Sequence, residues 1–198
     1  MAISTVQIAN FALSKIGSDA TIESLTENSS EANICNLWIE HTRLQALAAY
    51  DWSFARVRAT LAAHGDDAPT DWAYRYIYPV DCVKARFLEN PGGSEADPVP
   101  YAVEQSDSGS KSIVTDLNEA KLIYTKDVTV PGLYTPYFIE AYAVLLGAHV
   151  AYALTGKTNL EDKLAGRARR MFIFAPALDA SEQLEKLPRD AHHIRGRE

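Results

Sequence analysis

Several things are scarce in this sequence, and each scarcity excludes something. Cysteine occurs twice in 198 residues, as Cys35 and Cys82, far apart in the chain. Such a pair reads as two buried thiols in different elements and not as a disulfide framework. No run of 18 apolar residues occurs, so no transmembrane helix and no membrane partner are expected. The first ten residues, MAISTVQIAN, have neither the basic nor the apolar region of a secretory signal. Positive charge is in short supply, with 19 Lys and Arg against 26 Asp and Glu and a net charge of -7. That balance argues against a DNA-gripping surface spread over the protein, although DNA could be enclosed without being gripped. What is present is ordinary for a globular chain, 47% hydrophobic and 23% charged, enough for one domain with a real core.

The chain changes character at residues 50–61, YDWSFARVRATL. Before it, apolar residues recur at helical spacing. Within it, Ala55, Val57, Ala59 and Leu61 alternate with Arg56, Arg58 and Thr60, the period of a half-buried strand. Trp52 and Phe54 stand at the joint as apolar pins. Upstream, Ser4 and Gln7 have the form of a capping box for a helix over 5–16, closed by Gly17. Ile22 and Leu25 are apolar pegs in the following loop. A second helix is predicted from about Asn28 to Tyr50, with Ile34, Leu37, Trp38, His41, Leu44, Gln45 and Ala48 on its packing face.

Downstream of the corner the pattern is β. Trp72, Tyr74, Tyr76 and Tyr78 share one face of a strand that Pro79 ends, and 83–88 is a weaker strand. Residues 101–104 and 113–115 form a hairpin around SDSGSK, and 121–125 is the last strand. Thr135 and Pro136 then cap a new helix, apolar nearly all round from 138 to 154, which needs packing partners on both sides. A second subunit is one candidate for that partner. Gly156 ends it, Asn159 caps another helix, and Pro176 should kink or break that helix. The fold class is therefore α+β, mainly α: a bundle of about four helices (4–50 and 136–187) with an inserted antiparallel β subdomain of about five strands (54–127). Residues 1–187 form one domain, and 188–198 is a flexible C-terminal tail with almost no apolar content.

No motif carries chemistry. Gly156–Lys157–Thr158 has the ending of a phosphate loop, but Ala151 stands where that loop needs glycine and the preceding residues are helical. His192 and His193 form an adjacent pair without a rigid third ligand, and His41 has no ligand partner nearby. No catalytic residue, metal site or cofactor is assigned. Arg167, Arg169 and Arg170 form a basic run that reads as a solvated helix face or, alternatively, a subunit or phosphate contact.

The order of pieces resembles the tail tubular protein A family, the head-to-tail adaptors of short-tailed bacteriophages. The resemblance is carried by IANFALSKIG (8–17), IESL (22–25), the second helix ending in YDWSFARVRATL, WAYRYIYPVDCVKARF (72–87), LIYTKD (122–127) and PYFIEAYAVLLGAHVAYALTG (136–156). It covers the chain to about residue 175. FIFAPALDA departs from it, where a smoother alanine-rich helix belongs. The resemblance implies a non-enzymatic virion protein, assembled in the host cytoplasm. It implies a ring, of twelve copies, that docks under the portal protein, receives the tail nozzle and lets viral DNA pass without specific binding. By position, a C-terminal tail bearing Arg189, His192, His193, Arg195 and Arg197 would be the portal-docking segment.

Subunit-interface candidates are Arg56, Arg58, Tyr142, His149, Arg167 and Arg170. The acidic balance suits a channel that must not hold phosphates tightly. Three other readings stand beside this one. They are a head-completion connector of a long-tailed phage, a small soluble enzyme using His41, His149 and carboxylates, and a nucleic-acid-binding module.

Overall fold

The computed structural model describes residues 3–92 and 98–179, with side chains described to 175. Four helices are present: α1 (Thr5–Lys15), α2 (Ser30–Ala49), α3 (Pro136–Thr155) and α4 (Thr158–Asp179). Between α2 and α3 lie six strands: β1 (Arg56–Thr60), β2 (Tyr74–Ile77), β3 (Cys82–Leu88), β4 (Tyr101–Gln105), β5 (Lys111–Thr115) and β6 (Lys121–Lys126). The α+β, mainly α reading therefore holds.

The helix starts follow from local chemistry. Ser4 accepts from the Gln7 amide while Gln7 returns a bond to the Ser4 amide, which satisfies two orphan donors of α1. Ser29, not Asn28, caps α2 by accepting from Ala32. Thr135 caps α3 ahead of Pro136, and Gly156 ends it at φ 68°, a conformation that costs a residue with a Cβ. The following helix begins at Thr158, so Asn159 lies inside it and does not cap it. It also runs through Pro176 to Asp179. The break or kink expected at Pro176 therefore does not end the helix within the described residues. The tail at 188–198 and its five named residues lie outside the described residues.

α3 is the axis of the bundle. Phe138, Ala141, Tyr142, Val144, Leu146, Val150 and Ala151 are all essentially inaccessible. By length and composition alone α3 could span a membrane, but here α1, α2 and α4 pack around it. Apart from Tyr152, which is 56% exposed, both of its apolar faces are thus covered within one chain, and a second subunit, one candidate for that partner, is not required against α3. Gly147 permits the α1 crossing, because a Cβ there would stand 3.3 Å from the Ala12 carbonyl oxygen. Glu140 ties the neighbouring helices across α3, with Lys15 Nζ at 2.8 Å and Arg167 Nη2 at 3.1 Å.

The β subdomain consists of two antiparallel three-stranded sheets, ordered β1-β6-β3 and β2-β5-β4. β1 runs against β6 from Arg56↔Thr125 to Thr60↔Lys121. Irregularities between Cys82 and Lys84 and between Ala85 and Phe87 bend β3, the longest strand. A second core unites the sheets, built from Leu61, Tyr76, Leu88, Ile113, Ala120, Leu122 and Tyr124. In β2 the aromatic alternation does not separate inside from outside. Arg75 and Tyr76 are both buried, and Tyr74 and Ile77 are both exposed. Arg75 is satisfied there, donating to Ser112 Oγ at 2.8 Å and to the Asp67 carbonyl at 2.9 Å.

Candidate functional site

The corner at residues 50–61 solves a problem created by the end of α2. Its C-cap residue, Tyr50, is extended, so the last helical carbonyls receive no left-handed cap. Side chains from the corner and from β3 supply the missing donors. Trp52 Nε1 donates to the Ala46 carbonyl at 3.0 Å. Arg86 donates to the carbonyls of Leu47 (3.2 Å), Ala48 (3.3 Å) and Tyr50, and to Thr125 Oγ1 at 2.8 Å. Lys84 reaches the Ala48 carbonyl at 3.4 Å. Two cations at a helix C-terminus also meet the negative end of its dipole. The β subdomain is therefore fastened to the bundle by polar contacts, with Trp52 inserted among Tyr50, Phe54, Tyr137, Phe138 and Phe172.

This geometry places the first interface candidates. Arg56 lies within the corner, 2.6 Å from Asp51, and belongs to the same carboxylate that faces Arg86 at 3.9 Å. Its main work is inside the subunit. Arg58 is half exposed beside Glu89 at 3.6 Å. Tyr142 is 1% exposed and donates to the Ile39 carbonyl at 2.7 Å, so it cannot touch another subunit without unfolding the bundle. Arg170 lies on the outer face of α4, and Arg167 beside it holds Glu140.

His149 joins His41 in an aromatic group on the bundle surface. Its ring stacks on Trp38 with centroids 4.8 Å apart, and His41 meets both rings edge-on at 5.9 and 6.0 Å. His149 Nε2 lies 3.0 Å from Gln45 Oε1. Burial and the neighbouring His41 hold the His149 pKa below the usual histidine value. The adjoining cavity, about 270 Å³, is lined by Gln45, His149, Glu161, Arg169 and Phe172 over a floor of alanines. Its lining contains a carboxylate, a guanidinium and a histidine, but no hydroxyl or thiol nucleophile. Among the described residues no cluster of three or more His, Cys, Asp or Glu is placed to hold a metal ion.

One constellation escaped the sequence reading because its members lie 46 residues apart. His64 Nε2 stands 2.8 Å from Ser110 Oγ, and His64 Nδ1 stands 3.8 Å from Asp66 Oδ2. The arrangement has the composition of a nucleophile–base–acid triad, but its hydrogen bonds run the wrong way. Nδ1 accepts from the Asp66 amide at 3.0 Å, so the neutral ring carries its proton on Nε2 and donates to Ser110. A base for Ser110 needs a free Nε2 lone pair. The surrounding amides are also committed: Ser108 N to Asp66 at 2.9 Å, Ser110 N to Ser106 at 3.2 Å, and Gly109 N to the Ser106 carbonyl at 2.9 Å. The cluster, with Ser106 and Ser108, pins the β4–β5 hairpin tip to the loop before β2.

The surface feature with most to explain is the outer face of α2. Its buried residues are Ala32, Cys35, Ile39, Thr42, Arg43, Ala46 and Leu47. Of the face expected to pack, Ile34 and Trp38 do lie against the core from its flanks, whereas Leu37, His41, Leu44 and Gln45 point outward. Leu37 is 68% exposed and Leu44 38%. At the β end the stripe continues into an open groove lined by Leu44, Ala48, Val80, Cys82, Val83 and Asp127. On α4, Ile173 (71% exposed) and Arg170 likewise point opposite the buried Leu164, Ala168 and Ala175, with Phe174 (63%) on the flank between. Each helix thus carries an inner and an outer apolar strip. No protein-family model matches this chain, and no curated protein matches it.

Proposed function

We propose that this chain is a structural adaptor subunit of a short-tailed bacteriophage, similar in role to tail tubular protein A. Copies form a ring beneath the portal protein, the tail nozzle attaches to that ring, and viral DNA leaves through its centre. The observation that carries this reading is the outer stripe of α2. A 20-residue helix whose outward side bears Leu37, Leu44 and Ala48, continuous with Val80, has apolar surface to cover. Burying the exposed part of Leu37 alone is worth about 1–2 kcal/mol. The order of segments along the chain and the helical bundle carrying a β subdomain support the same reading. So does the net charge of -7, which disfavours retention of DNA.

The catalytic alternative gains little from His64 and Ser110, whose hydrogen bonds oppose nucleophile activation. Cryo-electron microscopy of the purified chain mixed with its portal protein tests the proposal. A closed ring of copies on the portal is expected. A portal that stays bare at saturating concentrations of this chain overturns it.

A further inference from the structure

We propose that the outer stripe of α2 receives the outer face of α4 from a second copy of this chain, head to tail. The inference rests on the ring reading in supposing that copies meet, and it adds which faces meet. Two observations select the pairing. The first is apolar content: Leu37 and Leu44 on α2 and Ile173 and Phe174 on α4 are exposed large side chains, with Leu37, Leu44 and Ile173 opposite their helix's buried face and Phe174 on the flank of α4. The second is charge. α4 carries Glu161 and Asp162 in its first turns and Asp179 at its far end, and between them Lys163, Arg167, Arg169 and Arg170 with no acidic residue. Arg167 is engaged by Glu140, whereas among the described residues no carboxylate pairs with Arg169 or Arg170.

The α2 stripe has one flanking acid on the helix and two at its β end. Glu40 flanks Leu37 and Leu44, whereas Glu31 lies on the side of the buried Cys35; at the β end Asp127 lies in the groove and Asp81 adjoins Val80. Arg43 and Lys126 offset the last two, at 3.0 Å from Asp127 and 3.3 Å from Asp81. A symmetric α4-to-α4 contact would bring two basic 163–170 stretches together, and a symmetric α2-to-α2 contact would offer Glu40 no basic partner on the facing stripe. Pairing α2 with α4 brings opposite charges around an apolar centre. Because the two faces belong to different helices, the contact is heterologous, and it propagates into a ring or an open filament instead of closing as a dimer.

Two surface substitutions separate the faces. Leu37→Glu spoils the receiving stripe and leaves α4 intact, and Phe174→Glu does the reverse. Both positions are exposed, and circular dichroism verifies that the variants fold. In sedimentation velocity, the wild type should associate with rising concentration and each variant alone should remain monomeric. An equimolar mixture of the two should form one species, a 1:1 dimer, and nothing larger. Arg170→Glu should weaken wild-type association at least fivefold, and adding Glu40→Arg in the same chain should restore most of it. A mixture that remains monomeric overturns the pairing, as does Phe174→Glu dimerising by itself. If both variants still build rings on the portal, the face assignment is wrong and the adaptor reading stands. If the wild type builds none, the adaptor reading falls whatever the mixture does.

Discussion

Trp52 is the residue on which the joint between bundle and β subdomain should depend most. It is 1% exposed and among the largest fully buried side chains. Its ring meets Phe138 edge-on at 5.1 Å and Tyr50 at 5.2 Å, and its Nε1 satisfies an orphan carbonyl of α2 at 3.0 Å. Replacing it by alanine removes about 3–4 kcal/mol of packing and strands the Ala46 carbonyl for about 1 kcal/mol more. The sum, about 4–5 kcal/mol, compares with a total stability on the order of 10 kcal/mol for a chain of this size. With a urea dependence of about 2 kcal/mol per molar, Trp52→Ala should lower the unfolding midpoint by about 2 M. Trp52→Phe keeps most of the ring and loses the N–H, so about 1–2 kcal/mol is expected. Equilibrium urea unfolding followed by circular dichroism measures both. A loss below about 1.5 kcal/mol for the alanine variant would refute the assignment of Trp52 as the pin of the corner.

Other perturbations have equally definite outcomes. Arg86→Met should destabilise by about 2 kcal/mol, since it removes the donor to the Leu47 and Tyr50 carbonyls and leaves Ala48 to Lys84 alone, and urea unfolding will show it. The His149 pKa is lowered in the fold, so the unfolded chain binds the proton more readily. That residue's contribution is full above the unfolded value of about 6.5 and is lost as pH falls through the lower folded value. The difference in stability between wild type and His149→Gln should therefore shrink as pH is lowered from 8 to 5. Gly147→Leu places carbon where the Ala12 carbonyl and Leu164 already stand, at 3.3 and 3.5 Å. It should cost about 2–3 kcal/mol by thermal or urea unfolding.

The elements were legible in the sequence wherever a local rule sets them. The Ser4–Gln7 box, the Thr135–Pro136 start and the Gly156 stop each need a few neighbouring residues, and each gave a boundary within about a residue. The strands of the β subdomain were legible from alternation, but not their division into two sheets, which depends on contacts between distant residues. The orientation of α2 was misread in part, since Ile34 and Trp38 do pack against the core, and the misreading has a physical reason. Its inner face contains Thr42 and Arg43, polar residues made tolerable by the Trp38 carbonyl at 2.8 Å and by Asp127 at 3.0 Å. Its outer face contains Leu37 and Leu44, and hydrophobic spacing alone chose that side.

The two apolar faces of α3 were read correctly, but their partners proved to lie in the same chain. Of the interface candidates, Arg170 keeps an outward position, Tyr142 and Arg56 serve the subunit itself, and His149 is half-buried under Trp38. The His64–Ser110 contact had no signal in the sequence, because it joins two loops that only the paired strands bring together.

The central claim is that the outer stripe of α2 is covered when this chain assembles on a portal. A single cysteine placed at Leu37, with Cys82 replaced by serine and Cys35 shielded in the core, reports on that directly. Its rate of alkylation should be fast in the free subunit and at least tenfold slower once the portal is added. An alkylation rate unchanged by the portal, under conditions where the two proteins sediment together, would contradict the account.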